Sequence, residues 1–255
     1  FATGRQSHGN IERIYHLGAC STTTEWDGRM MLDRNYAYTR DLIDFCIEGS
    51  IPIVYASSAA VYGKSSAFAE TLNNEQPLNV YGYSKQLIDR YVQRHLGRSN
   101  SQIVGIRYFN VYGPREQHKD AMASVAYHFD RQFKESSSIK LFEGSHGYDD
   151  GEQCRDFIYV DDAVATTLWF AEQSDCSGIF NCGTGVAESF NQVATAVLNW
   201  HGSGEISYVP FPDNLRAAYQ SFTQADLSTL RAAGCDLEFR DVNQGVHEYL
   251  DWLNS

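Results

Sequence analysis

Three short runs rich in β-branched and aromatic residues limit the folds open to this chain. They are RIYHLGA (13–19), IPIVYASS (51–58) and SQIVGIRYFNVYGP (101–114), the last stopping at Pro114. Near-continuous apolar runs of this length suit strands covered on both faces. Between the first two, MMLDRNYAYTRDLIDFCIEG (30–49) sets Leu42, Ile43, Cys46 and Ile47 on one side of a helix and ends on Gly49. A long loop through Pro77 leads to a second helix carrying Tyr81 and Lys85, with Leu87, Ile88 and Tyr91 expected to face inward. Strand, helix, strand, helix, strand implies right-handed crossovers and a parallel sheet. The second half is mixed. IKLFEG and RDFIYV read as short strands, a helix follows from Asp161, and SGIFNCGTG is a further strand ending in glycines. SFNQVATAVLNW and VNQGVHEYLDWL carry apolar residues at helical spacing.

The expected fold is therefore α/β: a Rossmann-like doubly wound parallel sheet with a smaller mixed α/β C-terminal lobe. Residues 1–115 are read as the dinucleotide-binding part. Residues 116–255 are read mainly as the substrate lobe, with part of the chain returning to the sheet. In open parallel sheets ligands bind beyond the carboxyl ends of the strands. LGACS, SSAAVYG and NVYGPRE fall at three such ends and converge on one crevice.

Charge narrows the partners. A net charge of −12 without a basic run argues against nucleic acid and anionic membranes. The six cysteines form no CxxC pair and no zinc spacing, so no metal site is expected, and their apolar settings suit a reducing compartment. No apolar run approaches membrane-spanning length. The cytoplasm is the expected location.

NVYGYSK (79–85) carries the chemistry. On a helix Tyr81 and Lys85 stack one turn apart, while Tyr83 points elsewhere. A cation beside a phenol favours the phenolate, so the tyrosine's pKa is expected to fall toward neutrality. With a strand-end hydroxyl from Ser57 or Ser58, the pair could grip and deprotonate a secondary alcohol. An incidental Tyr and Lys at a helix start is the plainer alternative.

YASSAAVYG, YGYSK and RYFNVYGPRE, in this order and spacing, resemble the extended short-chain dehydrogenase/reductases that act on nucleotide sugars. ACSTTTEW, LFEGS, AESF and FTQADL are similar to the ADP-L-glycero-D-manno-heptose 6-epimerases within that group. Sugar dehydratases of the family carry an Asp-Glu pair where this chain has Ala59 and Ala60. The resemblance implies inversion at C6 of ADP-D-glycero-D-manno-heptose through transient oxidation by bound NADP, for lipopolysaccharide core. It also implies a homo-oligomer, a pentamer. An epimerase or reductase for another nucleotide sugar stays open, as do NAD as cofactor and a non-catalytic nucleotide-sugar-binding fragment.

Carried over by motif, Ser58 and Tyr81 would hold and deprotonate the sugar hydroxyl, and Lys119 would be the second acid/base. Leu17, Gly18, Ala19, Cys20, Ser21, Asn35, Lys85 and Val111 would line the dinucleotide. Asn110, His128, Phe142, Glu143, Gly144, Ser145, Arg155 and Tyr219 would contact the ADP-sugar. Inversion gives a reason for two proton-transfer groups. The transient carbonyl must turn its opposite face to the same nicotinamide, which carries its oxygen away from Tyr81. Taken alone, Lys119 reads as a surface lysine, His128 as a partly buried helix residue and Arg155 as an ion-pair partner of YDDGE.

Some features depart from the family. The strand and GxxGxxG loop that would hold a pyrophosphate are absent, so we expect an N-terminally incomplete chain that binds cofactor weakly. Leu17 replaces an acidic residue, Ala121 a serine, and HGYDDGEQC (146–154) lengthens the approach to Arg155.

Overall fold

A computed structural model describes residues 11–213 and 219–255; the opening FATGRQSHGN and residues 214–218 lie outside the described part. Strand β1 (Ile14–His16) is followed by helix α1 (Gly28–Met31), a π-helical stretch over Leu32–Ala37, and α2 (Tyr38–Gly49). Strand β2 (Ile53–Ser58), helix α3 (Val80–Gln93) and strand β3 (Ile103–Tyr108) complete the pattern read from the sequence. β1, β2 and β3 pair in parallel, with Ile14 opposite Ile53 and Ile53 opposite Ile103. Alternate strand residues face opposite layers. Ile53, Tyr55 and Ile103 pack with Leu42, Ile43, Ile88 and Val92 beneath α2 and α3. Val54, Val104 and Ile106 turn the other way, toward Ala163, Phe170 and Leu230.

The run predicted as one strand over 101–114 is broken at Phe109. Its amide bonds the Cys182 carbonyl, whereas the next amide, that of Asn110, bonds Asp156. Strand β4 (Asn110–Tyr112) thereby leaves the main sheet. The rest of the chain runs through α4 (Val125–Ser136), β5 (Ser138–Phe142), β6 (Cys154–Arg155), β7 (Phe157–Tyr159) and α5 (Val160–Glu172). Then come β8 (Gly178–Cys182), β9 (Glu188–Ser189), α6 (Phe190–His201), β10 (Glu205–Val209), α7 (Ser228–Ala232) and α8 (Val242–Leu253). β8 returns to pair with β3, giving the four-strand order β1-β2-β3-β8, while β4 pairs with β7 and β5 with β10. α4, α6 and α8 enclose a second core around Phe129, Ile139, Val197, Val246 and Leu250. The two cores therefore interleave along the chain.

Helix α3 does not present the apolar face expected of it. Its most buried positions are Ser84, Lys85, Ile88, Asp89 and Val92, with Leu87 and Tyr91 only half-buried. Ser84 bonds Asn35 and the Tyr81 carbonyl, whereas Lys85 and Asp89 find partners in the sheet, where Arg107 of β3 is fully buried and ion-paired to Asp89 and Glu75. Buried ions are tolerated only with such partners.

The helix also approaches the end of β2 unusually closely. Asn79 caps it by accepting the Gly82 amide at 2.8 Å. A Cβ at position 82 would stand 2.5 Å from the Ala60 carbonyl oxygen. Replacing glycine by alanine inside a helix ordinarily stabilises by about 1 kcal/mol. Here Gly82→Ala is expected to have the opposite sign, lowering the urea midpoint, because helix and strand end must separate.

Candidate active site

Ser58 is the last residue of β2, and its hydroxyl accepts the Ala60 amide at 3.1 Å, turning the chain into a short 3₁₀ turn. The same hydroxyl lies near the Tyr81 phenol and favours its ionised form. One turn along α3, the Lys85 ammonium donates to the Ala56 carbonyl at 2.7 Å and lies 5.9 Å from the Tyr81 ring centroid. Lys85 is 4% exposed, whereas Tyr83 is turned to solvent at 47%. Hydroxyl, phenol and ammonium thus share one wall at the strand end.

Asn35 braces this wall. It lies in the π-helical stretch, where the wider turn breaks helical periodicity. Its carboxamide accepts from the Cys20 amide at 2.8 Å and donates to the Cys20 carbonyl at 2.9 Å and the Ser84 hydroxyl at 3.1 Å. The loop after β1 is thereby tied to α3. Gly18, Ala19 and Cys20 line an open hollow there with His16, Asp33, Arg34 and Tyr38. Leu17 and Ser21 are exposed beside it, and Val111 is half-buried in β4. His16, Arg34 and Tyr38 carry no motif of their own: His16 adjoins LGACS, and Arg34 and Tyr38 flank Asn35.

A second cluster gathers around Arg155, buried and set between the Phe190 and Tyr219 rings at 5.7 and 4.8 Å from their centroids. Among the described residues no carboxylate pairs with it, so the expected competitor, an ion pair with YDDGE, does not form. Tyr219 lies under the guanidinium and stacks on His146. Phe142 and Glu143 leave β5 beside this cluster. Gly144 is held by its amide on Asp150, and Ser145 is buried against Gln153. A hollow lined by Lys64, Ser65, His146, Tyr148 and Tyr219 opens here; Lys64 and His146 were missed because each lies in a polar loop without a pattern.

Lys119 is exposed on a 3₁₀ turn after β4, fixed by buried Glu116, which accepts the Ser124 amide and hydroxyl at 2.7 and 2.6 Å. Among the described residues no hydrogen bond or ion pair joins Lys119 to Ser58 or Tyr81. Asn110 is exposed on β4, and His128 is half-buried on α4 beside Tyr127.

Residues 5–183 match the NAD dependent epimerase/dehydratase family. The chain belongs to that family. An ADP-L-glycero-D-manno-heptose-6-epimerase from Alkalilimnicola ehrlichii is 58% identical over 243 residues, 95% of this chain and 76% of that protein. The Helicobacter pylori ADP-L-glycero-D-manno-heptose-6-epimerase structure aligns with a TM-score of 0.84 at 30% identity, covering 96% of this chain and 73% of that one. A UDP-N-acetylglucosamine 4-epimerase from Methanobrevibacter ruminantium shares the fold, with a TM-score of 0.83 at 22% identity over 95% and 76% of the two chains.

The residues present fit the dinucleotide for which the family is named. The Lys85 ammonium has spent one of its three donors on Ala56, leaving two for ribose hydroxyls. Gly18 lines the open hollow beside it. Electrostatics, however, correct one expectation. Burial raises the Tyr81 pKa rather than lowering it, and the Ser58 hydroxyl only offsets part of that rise. Lys85 bears the other half of the cost: burial brings its pKa down from 10.5 to about 8, against the pull of Asp89. Low polarity disfavours both charged forms at once. Lys85 also lowers His16, whose larger shift comes from burial.

Between about pH 8 and 10.5 the unfolded chain binds more protons at Lys85 than the folded one, so this group's penalty is full below pH 8 and fades as pH rises. Lys85→Met is accordingly expected to stabilise the fold by about 1–3 kcal/mol at pH 7 while removing activity. Urea denaturation at pH 7 and pH 10 checks this, the gain shrinking at the higher pH.

Proposed function

We propose that the chain is an isomerase that inverts C6 of ADP-D-glycero-D-manno-heptose to give ADP-L-glycero-D-manno-heptose, supplying lipopolysaccharide core. The observation that carries this reading is the Ser58–Tyr81–Lys85 wall in a chain 58% identical to a heptose 6-epimerase. The dinucleotide in this reading is NADP. The working form is a homo-oligomer, a pentamer, in the cytoplasm. No described helix is long and apolar enough to cross a membrane.

The bound nicotinamide supplies reversible two-electron oxidation at the sugar carbon. The protein's own groups do the rest. Ser58 holds the C6 oxygen, and Tyr81, acting as the phenolate, takes its proton. Lys85 holds the ribose and supplies the positive charge that favours the phenolate. Gly18, Ala19, Cys20 and Val111 line the dinucleotide, with Leu17 and Ser21 beside them and Asn35 holding the loop. Arg155, without an acid partner among the described residues, offers a desolvated cation to the diphosphate. Tyr219, Phe142 to Ser145, Asn110 and His128 surround the ADP-sugar. After the carbonyl turns over, its oxygen faces away from Tyr81 and is protonated by Lys119, whose turn is pinned by Glu116.

Incubation with ADP-D-glycero-D-manno-heptose and NADP, followed by separation of the epimers, tests the reading. Tyr81→Phe and Lys119→Met are each expected to lower turnover by about 10²–10⁴-fold with ADP-sugar affinity nearly unchanged. Wild-type turnover by Lys119→Met would return that residue to the surface. Turnover of a UDP-sugar with none of ADP-heptose would remove the substrate.

A further inference from the structure

The face of α3 that carries Tyr81 and Lys85 continues, one turn further, to Asp89, which is fully buried. Its Oδ1 accepts the Tyr55 hydroxyl at 2.9 Å, and its Oδ2 accepts the Ser57 hydroxyl and Arg107 Nε, both at 2.8 Å. Four successive residues of β2 are thus tied to three successive turns of α3. Tyr55 and Ser57 meet Asp89, the Ala56 carbonyl meets Lys85, and Ser58 meets Tyr81. Arg107 stands opposite Ser57 in the sheet and fixes the carboxylate from β3. Glu75 holds the other side of Arg107 and also accepts Arg90 Nε at 2.7 Å.

We infer that Asp89 is a positioning residue for this site: it sets the register in which Ser58 meets Tyr81 and supplies the carboxylate charge one turn from the Lys85 ammonium. This rests on reading Ser58, Tyr81 and Lys85 as the reacting wall. Stability alone is a poor reason for such a network, because apolar side chains of equal volume do as well or better. The sheet, moreover, is opened to admit it. Gly105 of β3 lies where a Cβ would come 2.4 Å from the Tyr55 hydroxyl oxygen, so a glycine there lets Tyr55 reach Asp89.

Lys85 is faced by Tyr81 and Asp89 from its own helix and by His16 from β1. Asp89 is faced by Tyr55 and Ser57 of β2 and Arg107 of β3, with Glu75 beyond Arg107. Within that set, Asp89 is the group that raises Lys85 against its burial.

The test follows the Lys85 ammonium by ¹⁵N-lysine NMR between pH 6 and 10 in wild type, Asp89→Asn, Asp89→Glu and Ser57→Ala, alongside epimerisation kinetics. Asp89→Asn is expected to move the Lys85 midpoint down by about one unit, with Asp89→Glu restoring it. It should lower kcat by about tenfold or more at nearly constant KM, its alkaline limb following Lys85. Ser57→Ala keeps the charge, so the Lys85 midpoint should hold while kcat falls severalfold. An unmoved midpoint in folded Asp89→Asn, or unchanged kcat in Ser57→Ala, would overturn the inference. Should Asp89→Asn fail to fold, Ser57→Ala decides. Should wild type leave ADP-heptose untouched, the substrate falls, and the Lys85 midpoint in Asp89→Asn still supports the inference by moving or overturns it by staying.

Discussion

The contact between α3 and the end of β2 is the constraint on which the rest depends. Because Gly82 admits the Ala60 carbonyl, the helix can lie close enough for Tyr81 to reach Ser58 and for Lys85 to reach a β2 carbonyl. Every polar group on that helix face must then find a partner away from water. The sheet supplies them for Lys85 and Asp89 through Ala56, Ser57, Tyr55 and Arg107, and Asn35 supplies one for Ser84. The loop beside the β1 hollow is tied to the same helix through Asn35.

Burial has an energetic consequence that a pairwise view misses. A lysine beside a tyrosine favours the phenolate, but removal of both from water opposes the phenolate and the ammonium alike. The outcome is a phenol held up and an ammonium held down to about 8. The pair therefore does not rest as a phenolate–ammonium ion pair. Arg155 obeys the same logic. Its guanidinium is dry, flanked by rings and without an acid among the described residues, which suits an anionic ligand better than a structural role.

Much of this was legible in the sequence, for definable reasons. β-branched runs ending in small residues announced the parallel sheet. The Tyr81–Lys85 spacing announced their shared face. Other features left no pattern. The π-helical stretch around Asn35 differs from an α-helix by under one residue per turn, too little to show across six residues. The run 101–114 has unbroken strand character, so the swing at Phe109 follows from its partners Cys182 and Asp156, which are remote in sequence. The polar stripe of α3 was hidden because apolar periodicity seeks Leu87 and Tyr91, whereas the buried Ser84, Lys85 and Asp89 need Arg107 and Tyr55 to make sense. The direction of the Tyr81 shift was missed because burial cannot be read from spacing.

In the proposed reaction Tyr81 moves only the hydroxyl proton, while the hydrogen on the sugar carbon leaves and returns without meeting solvent. Conversion of ADP-D-glycero-D-manno-heptose in D₂O, with mass and NMR analysis of the product, tests it directly. The product should carry no deuterium at C6. Deuterium at that carbon would mean that inversion proceeds by proton exchange at carbon, and the account would be wrong.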